Sequence, residues 1–396
     1  MKKAGVKDIL GMIPEELFQE ISAETLVDKH VKKLTGRSIF QVFLLSLIGG
    51  SPSSLTVMAR LFSSEKFRLL CGGEAVPFKT NKTSISDRLN TINPEFFEKI
   101  FAALVQKFGK VFSRNNSHNI TSFDSTLLTL SSKLLRVGSS INKGKKNQIK
   151  FTVSFDQIPR TLNIHFADNH TDEIPLRTAI REFSVGKDSI VVFDRGLSSR
   201  TTYKSFDDSG IQFITRLKIN ARYQVIKQLS DVSRLRKGDL KFKNDCLVYL
   251  ASKGTRFYKH PFRLICAENI KTGENLYFLT NNIELSAKEV ADIYKKRWEI
   301  EVFFKFIKQE LNAKHFHSRS ENGIKVTFYM ILIISFLLLV YKYLNKMTGY
   351  KFVKWDFVEE LDMIVARDLA HLYAQNIEQF DLDFPVKTWP ISLFGQ

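Results

Sequence analysis

The segment SAKEVADIYKKRWEIEVFFKFIKQELN, residues 286–312, carries Tyr294, Arg297, Glu301 and Lys308 at spacings of three, four and seven. At about 100° per residue in a helix, these four fall within a stripe roughly 60° wide. Val290, Ile293, Ile300, Phe304, Ile307 and Leu311 form the neighbouring apolar stripe, while Asp292, Lys295, Lys296, Glu299, Gln309 and Glu310 point outward. The polar four therefore border the buried face, a position suited to groups that line a cleft. Glu301 between Arg297 and Lys308 has two readings: a structural ion-pair ladder, or an oxygen ligand flanked by two phosphate grips. Trp298 lies on the other flank, either stacking on a base or packing against neighbouring β segments.

Two aspartates upstream share a setting. Asp124 in SFDST and Asp194 in VFDRG each close an apolar run that reads as a strand. Strand ends in α/β sheets commonly hold ligands and metals; taken alone, either residue reads as a turn or capping aspartate. Together with Glu301 they make the hard-oxygen set suited to Mg²⁺ or Mn²⁺. Two such ions about 3.5–4 Å apart activate water and stabilise a leaving oxygen on a phosphodiester.

The elements that must position these residues are legible in outline. Residues 1–117 read as mostly helical; TNKTSISDRLNTI within them reads as an ordinary short helix in preference to the second half of a helix-turn-helix. From residue 118 strands dominate: HNITSFDSTLL, QIKFTVSFD, TLNIHFAD and the fully apolar DSIVVFDRG, then a helix, SSRTTYKSFDDSG, and the strand IQFITRLK. Residues 218–285 hold short β segments with polar connections. Ser286 and Glu289 form a capping box that starts the polar-striped helix at Ala287. This order predicts a mixed α/β sheet.

Charge points to the partner. Lys and Arg number 59 against 41 Asp and Glu, a net charge of +18, which favours nucleic acid or an anionic surface. Residues 131–150 hold six Lys/Arg and no acid, including Lys143, Lys145 and Lys146. Residues 214–243 hold nine against two, and Arg195 adjoins Asp194. With phosphodiester chemistry expected nearby, DNA contact is the better reading for these stretches than a solvated loop. Cys71, Cys246 and Cys266 form no CxxC pair, which fits a reducing compartment and argues against a structural zinc site. The basic N-terminus lacks a signal-peptide apolar run. Val326–Tyr341 is uncharged over sixteen residues, short of the roughly 20 that span a bilayer, and reads as a buried helix with no membrane partner. GSSINKGKK has the wrong glycine spacing for a phosphate loop, and His315-x-His317 lacks an HExxH context.

The Y-x2-R-x3-E-x6-K pattern of Tyr294, Arg297, Glu301 and Lys308 resembles the signature of DDE transposases of the insertion-sequence-four family. FDST around Asp124 and FDRG around Asp194 look like that family's two Asp motifs, in the order Asp, Asp, β insertion, Glu; the likeness runs from about 118 to 340. It implies an RNase H-like fold interrupted by a β-rich insertion, for which the separation of 107 positions from Asp194 to Glu301 leaves room. The expected division is a helical DNA-end-binding region (1–117), the first part of the catalytic core (118–217), the insertion (218–285), the Glu helix with a buried helix (286–345), and a helical C-terminal region (346–396) as candidate dimerisation element. The likeness further implies two Mg²⁺ ions (Mn²⁺ substituting) on Asp124, Asp194 and Glu301. Its partners would be double-stranded DNA, both inverted-repeat ends and target, and a second copy in a synaptic dimer acting in the cytoplasm at the nucleoid. DNA contacts are expected from Tyr294, Arg297, Trp298, Lys308, Lys143, Lys145, Lys146 and Arg195. One departure is Leu197, where relatives often carry Tyr after DRG; Tyr203 is the nearest substitute for its hydrogen bond. The alternative is a catalytically inactive or repurposed DNA-binding protein of the same fold.

Overall fold

The computed structural model describes residues 4–49, 54–70, 79–113, 119–129, 139–141, 146–166, 173–183, 189–251, 256–311, 318 and 320–374. Cys71, Lys143 and Lys145 lie outside the described residues, as does the side chain of Lys146.

The described strands form one sheet. They are β1 (Asn119–Thr129), β2 (Ser139–Ile141), β3 (Lys146–Asp156), β4 (Ile158–His165), β5 (Ser189–Phe193), β6 (Gln212–Arg216), β7 (Tyr223–Ser230), β8 (Arg236–Lys237), β9 (Leu240–Ala251), β10 (Phe257–Asn269) and β11 (Asn275–Thr280). Their order is β2-β3-β1-β5-β6-β11-β10-β9-β7, with β4 on β3 and β8 on β9. β1, β5 and β6 run parallel, and β3 is antiparallel to β1. This is the mixed sheet expected of an RNase H-like core. β5, SIVVF, is buried at every position, as a central strand covered on both faces must be.

Helices supply the crossovers. Between β4 and β5 lies a helix that sequence reading missed, Glu173–Glu182, with Pro175 tolerated in its first turn. Another, Arg200–Asp208, joins β5 to β6, its first turn capped by Ser199, whose hydroxyl accepts from Thr202 N–H.

The β-rich insertion continues the catalytic sheet. β11 pairs antiparallel with β6 through Phe278↔Arg216, Leu279↔Thr215 and Thr280↔Ile214. The reason is a shared core: Ile120, Ile190 and Ile214 from the parallel strands pack in one cluster with Phe242, Ile265 and Phe278 from the insertion and Val290 and Ile293 from the following helix. Splitting the sheet there would expose that apolar surface and a row of unpaired backbone groups.

A buried ion pair fixes the insertion to the start of the polar-striped segment. Arg263 on β10 donates to both carboxylate oxygens of Asp245 on β9, each at 2.8 Å. Its remaining fork reaches the carbonyls of Leu285 (2.5 Å) and Asn282 (3.3 Å), just before the next helix begins. Ser230 donates to Asp245 at 2.7 Å. The two charged side chains are 5% and 1% exposed, so neither charge has water as a fallback.

The apolar segment forms the helix Glu321–Leu344, whose most hydrophobic window is 94% buried. Phe328 packs on Phe151 of β3 (ring centroids 4.7 Å apart), and Tyr329 meets Phe101 of the helix Glu95–Ser113. It is a core helix.

The chain divides into two compact units, residues 89–339 and a helical unit of 1–88 with 340–396. In the helical unit the helix Val6–Leu10 meets the helix Tyr350–Tyr373. Val6 N–H donates to Glu360 (2.8 Å), and Tyr341 donates to its other oxygen (2.9 Å). TNKTSISDRLNTI contributes the short helix Lys82–Thr91. From it Arg88 donates to the carbonyls of Val27 and Leu34.

Asp245→Ala is expected to cost about 3–5 kcal/mol, because it strands a buried guanidinium. Urea unfolding measures this, and the double change Asp245→Leu with Arg263→Met should cost clearly less.

Candidate active site

Strand register builds the first half of the site. Parallel pairing of β1 with β5 runs from Asn119↔Ser189 to Phe123↔Phe193. The next residue on each chain is Asp124 and Asp194, so two carboxylates emerge side by side. In the direction of β1 the sheet then narrows: β1 continues to Thr129 against β3 after β5 has ended. Asp124 thus lies within a strand and not at its end, contrary to the sequence reading. The following STLLT is β-forming and finds its ladder on β3, so only β5 stops.

Each aspartate is oriented locally. Asp124 accepts from Ser125 N–H (2.8 Å), and Asp194 from Gly196 N–H (2.9 Å). A Cβ on Gly196 would stand 2.9 Å from that same Asp194 oxygen, so a larger residue there would push the carboxylate aside. Thr215 on β6 donates to the Asp194 carbonyl (3.1 Å).

The polar-striped segment brings the second half. Its capping box forms as expected, with Ser286 and Glu289 closing the first turn. The single helix expected from the periodicity is instead two, α-helices Ala287–Lys296 and Trp298–Gln309, meeting at Arg297. There the ladder tightens: Arg297 N–H bonds the carbonyl of Tyr294 (3.1 Å), and Ile300 N–H that of Arg297 (3.3 Å).

Arg297 organises the joint. It donates to Glu301 at 2.5 Å, and its guanidinium lies 5.6 Å from the centre of the Tyr294 ring. That ring packs edge-on against Phe278 of the insertion, centroids 5.5 Å apart. Lys308 donates to Thr126. Thr126 is two residues beyond Asp124 and so faces the same side of the sheet. The Glu-bearing helix therefore lies across the Asp124 face. Thr126 was not among the residues singled out in the sequence, although the i, i+2 relation to Asp124 could have marked it.

Electrostatics tie the group together. Burial pushes the Asp124 carboxyl up to about 7, and the neighbouring negative charge of Asp194 adds to this. The Ser125 N–H and the Arg297 charge oppose the rise, and Glu301 reinforces it. Burial also raises the Tyr294 hydroxyl, against the opposing charges of Arg297 and Arg216. For Arg297 burial works downward, but Tyr294, Glu301 and Asp124 outweigh it and hold the guanidinium above its usual value.

The remaining expected residues are scattered. Trp298 is 63% exposed, which rules out burial of its ring against the insertion. Arg195 is exposed beside Asp194. Tyr203 does not substitute for the missing tyrosine: it is buried, and its hydroxyl donates to the Leu197 carbonyl. Leu197 itself is fully buried in the core. Arg216, absent from the expected set, places its Nε atom buried without a hydrogen-bond partner near Tyr294.

The model of the transposase DDE domain matches residues 115–337, a span that contains both aspartates and the glutamate. The chain belongs to that family. Relatives of this DDE transposase include y4zB of Sinorhizobium fredii, named as a transposase, 27% identical over 64% of this chain and 69% of its own. A Synechocystis protein named for insertion sequence element IS4SA is 25% identical over 75% of this chain and 79% of its own. A cryo-EM structure of the piggyBac transposase synaptic complex with hairpin DNA aligns at a TM-score of 0.49 and 14% identity, over 96% of this chain and 84% of that one. As a DDE transposase the protein is an enzyme acting on DNA, and such domains use divalent metal ions.

The donor chemistry fits a divalent ion: carboxylate oxygens, crowded enough to raise one of them. Among the described residues no three Asp, Glu, His or Cys side chains form a closed metal-holding group, and Glu301 lies against Arg297.

The raised Asp124 value has a consequence for the metal-free protein. The folded state retains a proton that the unfolded chain has released, so stability falls as pH rises from about 4 to about 7. The loss from this group is on the order of 2–4 kcal/mol. Asp124→Asn should flatten that slope and stabilise the metal-free protein at pH 8, as followed by thermal unfolding in EDTA.

Proposed function

We propose that this transposase binds the inverted-repeat ends of its own insertion sequence and moves it by cut-and-paste. The carrying observation is the β1–β5 register, which sets Asp124 beside Asp194, with Glu301 near enough to act on the Asp124 charge. On this reading the three carboxylates hold two Mg²⁺ ions, for which Mn²⁺ substitutes. Ions held there would supply activation of a water and of the freed 3′-hydroxyl, and positive charge against the leaving oxygen of an in-line displacement.

The chain's own groups supply the rest. Arg297 holds Glu301 in the free protein; a DNA phosphate competes for the same guanidinium, and each fork-shaped pairing satisfies it. Release of Glu301 then completes the carboxylate set. Lys308 offers a point charge over the Asp124 face, and Tyr294 keeps Arg297 in place through its ring. Trp298, exposed next to Arg297, stacks on an unpaired base. Arg195, Lys143, Lys145 and Lys146 hold the backbone. The net charge of +18 serves duplex DNA at both element end and target. Residues 1–117 recognise the end, residues 346–396 contribute to a homodimer in the synaptic complex, and the work is done in the cytoplasm at the nucleoid.

The test is nicking of a duplex carrying the element's end sequence. Cleavage is expected with Mg²⁺ or Mn²⁺ and not with EDTA. Glu301→Gln should lower the rate by about 10²–10³-fold, the scale of losing one transition-state electrostatic group, while retaining the gel shift. Undiminished cleavage by this variant would remove Glu301 from the metal site. A wild-type protein that shifts the end but never cuts it would leave a DNA-binding protein of the same fold.

A further inference from the structure

A basic cavity of about 310 Å³ opens at the end of β6 and the entry to the insertion, against the turn that follows Asp194. Arg195, Arg200, Arg216, Lys218 and Arg222 line it, and no Asp or Glu does. Its walls are built: Arg200 donates to the Ala251 carbonyl at the end of β9 (3.1 Å) and to the Ser198 carbonyl. That ties the turn after Asp194 to the insertion. Arg216 is paired through one nitrogen with Glu274 (2.7 Å), while its Nε atom is buried with no hydrogen-bond partner. Five cations converging on one concavity repel each other, and an anion between them relieves the cost.

Joining a DNA end to a new site needs two backbones at one set of carboxylates. Arg297 and Lys308 provide one grip. The cavity is a second, separate one, reached from Asp194 through the adjoining Arg195. Its charged lining is all guanidinium and ammonium, with Ser198, Asn220 and Tyr203 as the polar neutral residues and Leu217, Ala221 and Ala251 completing the wall. Such groups position a backbone and carry little base readout. That suits a strand whose sequence changes from event to event. Resting on the transposase reading above, we propose that this cavity holds backbone phosphates of the acceptor DNA, and so acts in joining and not in nicking.

The double variant Lys218→Ala, Arg222→Ala tests this, since both side chains are exposed and their loss leaves the core intact. Two steps are compared in the full-length protein with Mg²⁺: nicking of an end-bearing duplex, and joining of a pre-cleaved end to a supercoiled plasmid. Joining is expected to fall at least tenfold with nicking within twofold. The log–log salt slope of joining should shrink by about one for each phosphate that the variant no longer grips. The pair Lys218→Arg, Arg222→Lys should restore most of the joining. A parallel fall of both steps would place the element's own end in the cavity, and no fall in joining would make it a solvated surface; either overturns the proposal. A wild-type protein that performs neither step overturns the transposase reading itself, an outcome separate from these.

Discussion

Everything at this site depends on the parallel register of β1 and β5. A pairing that stops at Phe123↔Phe193 leaves Asp124 and Asp194 as the next residues on two neighbouring stretches of chain. A slip of one residue would turn one carboxylate to the opposite face. The register is held by the apolar residues below it, Val191, Val192, Phe193 and Phe123, all fully buried. Core packing thus buries Asp124 and keeps a like charge next to it, and the raised Asp124 carboxyl records burial first and the Asp194 charge second. Sites that must hold cations are where such costs are tolerated.

The third carboxylate arrives by a different route. Glu301 sits past a break at Arg297, in a helix anchored by Lys308 to Thr126 on β1. The preceding helix is anchored elsewhere, through Tyr294 on Phe278 and through the Arg263 fork on the carbonyls of Leu285 and Asn282. The Glu-bearing segment is therefore fixed at one end by the parallel core and at the other by the insertion. The insertion is more than an appendage: it sets where the helix starts. The joint between the two anchors falls on the residue whose side chain holds Glu301.

Of the two readings of the polar stripe, the ion pair is present in the folded chain. Arg297 pairs with Glu301 as a ladder would, and the same pair lies within the field of Asp124. An exposed i,i+4 pair would be worth a few tenths of a kcal/mol. This one is 14% and 33% exposed, and its charges also act on Asp124.

Local pattern determined much on its own. Apolar periodicity and a capping box marked the start of the Glu segment; alternation and a continuous apolar run marked β3, β4 and β5; and motif spacing singled out Asp124, Asp194, Glu301, Arg297 and Lys308. These are short-range signals, written in neighbouring residues. The helix Glu173–Glu182 escaped although Leu176, Ala179 and Ile180 fall at helical spacing, for it is short and carries a proline in its first turn. Tertiary structure alone decided the rest. That β1 outruns β5, that β11 joins β6 to make one sheet, that Lys308 reaches Thr126 and that Tyr203 packs on Phe262 all come from contacts between residues far apart in the chain. Hydrophobic burial chooses those partners by shape and area, and a linear pattern records which residues want burial without recording against what.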